Sequence, residues 1–126
     1  FTFDATHCPD LFPALATLAA AAEGVSTIIG THRLEHKESN RAEAIAHEFG
    51  RLGIEVDLST ENVMKIRGGE IIGGVEVDSH GDHRMAMTLA VAGLISKRGV
   101  TIHGAESVAK SYPDFFETLE QLLYAQ

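Results

Sequence analysis

At 126 residues the chain suffices for one compact domain that buries roughly two-thirds of its unfolded surface. Hydrophobic residues make up 44% and charged residues 22%, ordinary values for a globular protein. The net charge of -8 argues against nucleic acid as the main partner, because a basic stripe is the expected footprint there. No apolar run approaches the roughly 20 residues of a membrane span, and the longest candidate, 11–22, is short and mostly Ala. The single cysteine, Cys8, cannot form an internal disulfide, and nothing suggests an oxidising compartment. The opening Phe1-Thr2-Phe3-Asp4 lacks the basic region of a secretory signal. It also lacks an initial Met, as expected of a piece cut from something longer.

Strands and helices alternate along the chain. Residues 1–5 read as a short strand. Pro9-Asp10 opens a helix to about residue 22, with Pro13 in its first turn, where a missing N–H costs little. Gly24 ends it, and the β-branched 25–29 segment reads as a buried strand. After a loop, residues 39–52 form a helix, since Ala42, Ile45, Ala46, Phe49 and Leu52 recur at amphipathic spacing and Gly53 is a good stop. Residues 54–58 and 63–67 make a hairpin across Ser59-Thr60-Glu61-Asn62, and Gly68-Gly69 breaks the chain. The order then restarts: a strand at 74–78, a nearly all-apolar helix at 83–96, and a strand at 99–103. Ser111-Tyr112-Pro113-Asp114 opens a final helix, with Ser111 and Asp114 spaced like a capping box. The predicted class is α/β, in two βαβαββ-type units of about 1–68 and 69–126. The second unit stops before its closing two strands.

Four of only ten Lys and Arg residues, Lys37, Arg41, Arg84 and Lys110, fall at predicted helix entrances. Backbone N–H groups point outward there and favour anions. Lys37 and Arg41 are i, i+4, and share a face if the helix starts early enough. Glu38 between them is either the acid of a solvated first turn, answering the dipole and pairing Arg41, or a proton-transfer group beside an oxyanion clamp. Spacing leaves both open. Asp82 suits an N-cap, and Arg84 entering an apolar helix needs an anion from the protein or from a ligand. Asp10 reads as another N-cap and Lys110, taken singly, as a surface lysine. Yet Asp10, Lys37, His83 and Lys110 all follow strand or loop ends, which cluster on one rim in αβ repeats. His80 and His83 are spaced H-x-x-H, with His7-Cys8 available to complete a metal set. That is not the i, i+4 spacing of a helical zinc pair, and no second Cys accompanies it. Cys8 beside Pro9 reads as a small buried hydrophobe.

Lys37-Glu38-Ser39-Asn40-Arg41, Gly81-Asp82-His83-Arg84-Met85-Ala86-Met87 and Lys110-Ser111-Tyr112-Pro113-Asp114-Phe115-Phe116 stand in an order and spacing that resemble the C-terminal part of the 5-enolpyruvylshikimate-3-phosphate synthase family (3-phosphoshikimate 1-carboxyvinyltransferase). Cys8-Pro9-Asp10 before an Ala-rich helix is similar to the same family upstream. Asn40 departs from the Asp common there, and Glu35 from a basic residue. The resemblance implies a two-domain enzyme, each domain built of three units with helices inside and sheet outside, of which this chain would supply part of the C-terminal domain. Its N-terminal domain would be missing.

The implied reaction transfers the enolpyruvyl group of phosphoenolpyruvate to the 5-hydroxyl of shikimate 3-phosphate and releases phosphate, in aromatic amino acid biosynthesis. It implies a cytoplasmic enzyme with no metal and no organic cofactor, and neither a nucleic-acid nor a membrane partner. Carried over by motif, Asp10 would meet the 5-hydroxyl as base or orienter, with Lys37 beside it. Glu38 would handle the proton at the methylene carbon. Arg41, Arg84 and Lys110 would clamp phosphoenolpyruvate, and His83 would sit at its edge. Alternative functions are a UDP-sugar enolpyruvyl transferase of the same fold and a non-catalytic anion-binding module.

Overall fold

The computed structural model describes residues 1–37 and 39–124. Strands β1 (Thr2–Asp4), β2 (Gly24–Ile29), β3 (Glu55–Asp57) and β4 (Val63–Gly68) form one sheet in the order β1-β2-β4-β3. β1 pairs parallel to β2, so the chain must cross over between them, and α1 (Phe12–Ala21) makes that crossing. β2 and β4 form the longest ladder, antiparallel from Gly24↔Gly68 to Ile29↔Val63, and β3 adds to β4 as the expected hairpin. A second, two-stranded parallel sheet joins β5 (Val75–Asp78) to β6 (Val100–His103), crossed over by α3 (His83–Leu94).

α2 (Arg41–Arg51) starts two residues later than its pattern predicts. Asn40 is the reason: its side-chain oxygen accepts the Glu43 N–H at 3.3 Å, so the cap falls after Ser39. The helix buries Ala42, Ala44, Ile45 and Phe49, together with two charged residues, Arg41 and Glu48. α1 lays Ala16, Ala19 and Ala20 into the core. It reaches the sheet so closely that a Cβ on Gly68 would lie 2.0 Å from the carbonyl oxygens of both Ala19 and Ala22. The core joins these helices to Ile28, Met64 and Ile66 of the large sheet and to Met85 and Leu89 of α3.

The C-terminal segment differs from the spacing-based expectation. A 3-10 turn, Ala105–Lys110, precedes the final helix, and Ser111 closes that turn through its N–H to the Val108 carbonyl at 3.1 Å. Ser111 therefore ends one element rather than capping the next, and α4 (Phe115–Tyr124) begins at Phe115. Likewise Pro9–Leu11 is a 3-10 turn ahead of α1. α3 is not wholly enclosed, since Val91 and Leu94 are exposed. No helix among the described residues is long and apolar enough to cross a membrane.

Candidate active site

Three helix N-terminal ends meet in one place. Asp10 lies in the turn that leads into α1, Arg41 is the first residue of α2, and Asp82 is the N-cap of α3. The Arg41 side chain is almost completely buried, and so is Asp82. Their contact is bidentate, Nε to Oδ2 at 2.8 Å and Nη2 to Oδ1 at 3.2 Å. The Ser39 hydroxyl donates to Asp82 Oδ2 at 2.8 Å, and the Arg84 N–H donates to Oδ1 at 3.0 Å. Burial alone would raise the Asp82 carboxyl. The hydrogen bonds from Arg41 and Ser39, the Arg41 charge and the Arg84 N–H outweigh it and hold the group below its ordinary value.

Outside this buried pair, Asp10 is a hub for cations. A single oxygen, Oδ1, faces Arg41 Nη1 at 3.3 Å, Arg84 Nε at 3.7 Å and Lys37 Nζ at 3.9 Å. These are longer than the roughly 2.7–2.9 Å of a tight charge-assisted hydrogen bond. Among the described residues, three cations therefore surround two carboxylates, a local positive excess in a chain of net charge -8. That excess stands where the helix ends also favour negative charge. Between α1 and α3 opens a hollow of about 270 Å³. Asp10 and Arg84 are its charged lining, and Pro13, Ala14, Met87 and Val91 its apolar walls.

Asp10, the Lys37 and Arg41 pair, and Arg84 are thus brought together from three separate parts of the sequence. Asp10 is no N-cap: its side chain makes no cap hydrogen bond and turns to the cations instead. Lys37 and Arg41 do not share a helix face, because α2 begins only at Arg41; they converge through Asp10. Lys110 is not at a helix entrance either. It ends the 3-10 turn and sends its Nζ to the Gly81 carbonyl at 2.9 Å, next to Asp82. His83 is the half-buried first residue of α3. Glu38 lies outside the described residues. Cys8 is half-buried and packs against the core. No group of three or more His, Cys, Asp or Glu among the described residues is placed to hold a metal, and His80 turns to Glu48.

Spacing missed the wider part played by Asp82, which gathers three donors besides capping α3. It also missed Glu48, buried with Oε1 accepting the Asp78 N–H at 2.9 Å and Oε2 2.8 Å from His80 Nε2. A signal existed for Glu48. It continues the line of Arg41 and Ile45 toward Leu52 on α2, a stripe that faces the core.

The fold is that of the enolpyruvyl transferases. The chain is similar to the solved EPSP synthase from Acinetobacter baumannii, with a TM-score of 0.80 at 40% identity over 87% of this chain and 26% of that one. It is also similar to the enolpyruvyl transferase NikO from Streptomyces tendae, with a TM-score of 0.69 at 28% identity over 90% of this chain and 24% of that one. The sequence profile of EPSP synthase (3-phosphoshikimate 1-carboxyvinyltransferase) matches residues 2–119, and the chain belongs to that family. It is 47% identical to the 3-phosphoshikimate 1-carboxyvinyltransferase of Clostridium acetobutylicum over 94% of its length, and 48% identical to that of Aeropyrum pernix over the same share. It spans 28% and 27% of those two relatives.

Proposed function

We propose that this chain forms part of the C-terminal domain of an EPSP synthase, in two βαβαββ-type units of about 1–68 and 69–126, the second incomplete, with helices inside and sheet outside. The strand-helix-strand crossings β1-α1-β2 and β5-α3-β6 support the pairing of units, since both are parallel. The complete cytoplasmic enzyme would carry phosphoenolpyruvate and shikimate 3-phosphate to enolpyruvyl transfer and phosphate release, with the N-terminal domain as the other wall of the site.

One observation carries the reading: Lys37, Arg41 and Arg84 converge on one Asp10 oxygen where three helices begin. Transfer proceeds by addition and elimination. A proton joins the methylene carbon of phosphoenolpyruvate as the hydroxyl oxygen bonds to the adjacent carbon and gives up its own proton. Phosphate then leaves, and loss of a methyl proton restores the double bond. Such chemistry needs proton-transfer groups beside a cationic clamp. Asp10 serves as base or orienter of the hydroxyl, with Lys37 beside it. Glu38 exchanges the methylene proton. Arg84 and Lys110 bind phosphoenolpyruvate, and His83 borders it. Arg41 contributes chiefly through Nη1, since Nε and Nη2 already hold Asp82.

The relatives named 3-phosphoshikimate 1-carboxyvinyltransferase, at 47% and 48% identity, favour this substrate pair over a UDP-sugar. The test is to place this segment in the Clostridium acetobutylicum synthase in place of the matching residues and follow phosphate release with both substrates. Turnover near that of the parent supports the assignment. A folded chimera without turnover refutes it. The 126-residue chain alone should release no phosphate, because half an oriented site loses most of its advantage.

A further inference from the structure

We propose, resting on the enolpyruvyl-transfer reading above, that Glu48 is a positioning residue for the anion site: it holds the 78–82 turn so that Asp82 and Arg84 meet Arg41 and Asp10. A buried carboxylate in the apolar stripe of a helix is costly and persists only with strong partners. Glu48, 1% exposed, finds them in the turn that opens α3 and in no apolar neighbour. Oε1 accepts the Asp78 N–H at 2.9 Å, and Oε2 lies 2.8 Å from His80 Nε2. Arg51 Nε and His47 Nδ1 stand farther off, each at 3.8 Å.

Arg41 and Glu48 are seven residues apart on α2, about 10 Å along the axis at the helical rise. One grips the end of the turn at Asp82 and the other its start at Asp78 and His80, so α2 fastens the turn at two points. The backbone between them is unusual. His80 has φ +57°, a conformation that L side chains rarely adopt. Held from one side by Glu48, the turn is held from the other by Ser79. Its N–H reaches the His103 carbonyl and its Oγ the Gly104 carbonyl, both at 2.9 Å. Gly104 is open to that approach because a Cβ there would lie 2.4 Å from Ser79 Oγ. Releasing the Glu48 side frees the turn to shift Asp82. Asp82 orients the Arg41 guanidinium and caps the helix that carries Arg84, so the loss falls on anion binding.

The test is made in the full-length synthase containing this segment. Glu48→Ala should raise the KM for phosphoenolpyruvate by roughly tenfold or more with a smaller change in kcat, since small displacements of positioned groups are costly. Glu48→Gln keeps an acceptor for the Asp78 N–H and should recover most of that loss. His80→Ala removes the other grip and should give an intermediate KM. Amide hydrogen exchange in the same full-length protein supplies a readout independent of turnover: in Glu48→Ala and His80→Ala the Asp82 and Arg84 amides should lose protection relative to those of α1. A purely structural Glu48 would lower the amount of folded protein and leave the KM of the folded fraction unchanged, and that result overturns the proposal. If Glu48→Ala does not fold, an unchanged KM and unchanged Arg84 protection in His80→Ala overturn it instead. A parent protein without enolpyruvyl transfer would refute the functional reading, while the exchange pattern would still decide whether Glu48 positions the turn.

Discussion

Arg41 Nε lies 2.8 Å from Asp82 Oδ2 and Nη2 lies 3.2 Å from Oδ1, so the first residue of α2 grips the cap of α3 through two parallel contacts. This pair joins two helix ends and leaves the third guanidinium nitrogen, Nη1, turned toward Asp10. Arg suits the place because only a planar fork can meet both carboxylate oxygens while facing a third partner.

Breaking the pair from one side should be expensive. Arg41→Ala or Asp82→Ala leaves a buried charge without its main partner and should cost about 3–5 kcal/mol. Replacing both residues with apolar ones of similar size should cost less than the sum of the single changes. Denaturant unfolding of the four proteins measures the coupling, and simple additivity would show that the two groups do not depend on one another.

Acid should release the same pair. The Asp82 carboxyl is held below its ordinary 3.8 in the folded chain, so the unfolded chain binds its proton first as pH falls. Its stabilisation is fully present above about pH 3.8 and fades as pH drops through the lower folded value. Between neutral pH and about pH 3 the parent should lose more stability than Asp82→Asn, which has no carboxyl there to titrate. Unfolding curves across that range decide it, and parallel pH profiles would contradict it.

Binding and chemistry should separate in the full-length enzyme. On the proposed assignment Glu38→Gln keeps shape but removes a transferable proton, and should lower kcat by roughly 10²–10⁴-fold with little change in KM. Asp10→Asn should lower kcat and also alter KM, because its carboxylate faces Lys37, Arg41 and Arg84. On the same assignment Arg84→Ala removes a charge that would meet phosphoenolpyruvate before reaction, so its KM for phosphoenolpyruvate should rise by roughly tenfold or more. Near-normal turnover in Glu38→Gln would return Glu38 to the part of a first-turn surface acid.

The isolated chain should associate with itself at high concentration. Leu18, Val91, Leu94 and Ile95 are exposed on or just beyond α1 and α3, as are Leu122 and Leu123 on α4, and β5–β6 is a sheet of only two strands. Exposed apolar surface and unpaired strand edges both promote association. Sedimentation velocity over a wide concentration range should show mass rising with concentration; a constant monomer mass would count against it.

The sequence by itself determined most element positions in this protein, because the forces that set them act over a few residues. Apolar spacing at Ile45, Phe49 and Leu52 specifies α2, β-branched 25–29 specifies β2, and Asp82 specifies the start of α3. The three basic motifs also carried the family. Tertiary structure decided what those charges do. That Asp10 would gather Lys37, Arg41 and Arg84 rather than cap α1, or that Lys110 would reach Gly81 rather than open α4, depends on partners 27 to 74 residues apart. It also decided which partners let Arg41 and Glu48, charged residues on the core-facing stripe of α2, both lie inside. A charge is stable in the interior only where a distant partner meets it, and that meeting is written in the packing of α2 against the turn before α3, not in the periodicity of either.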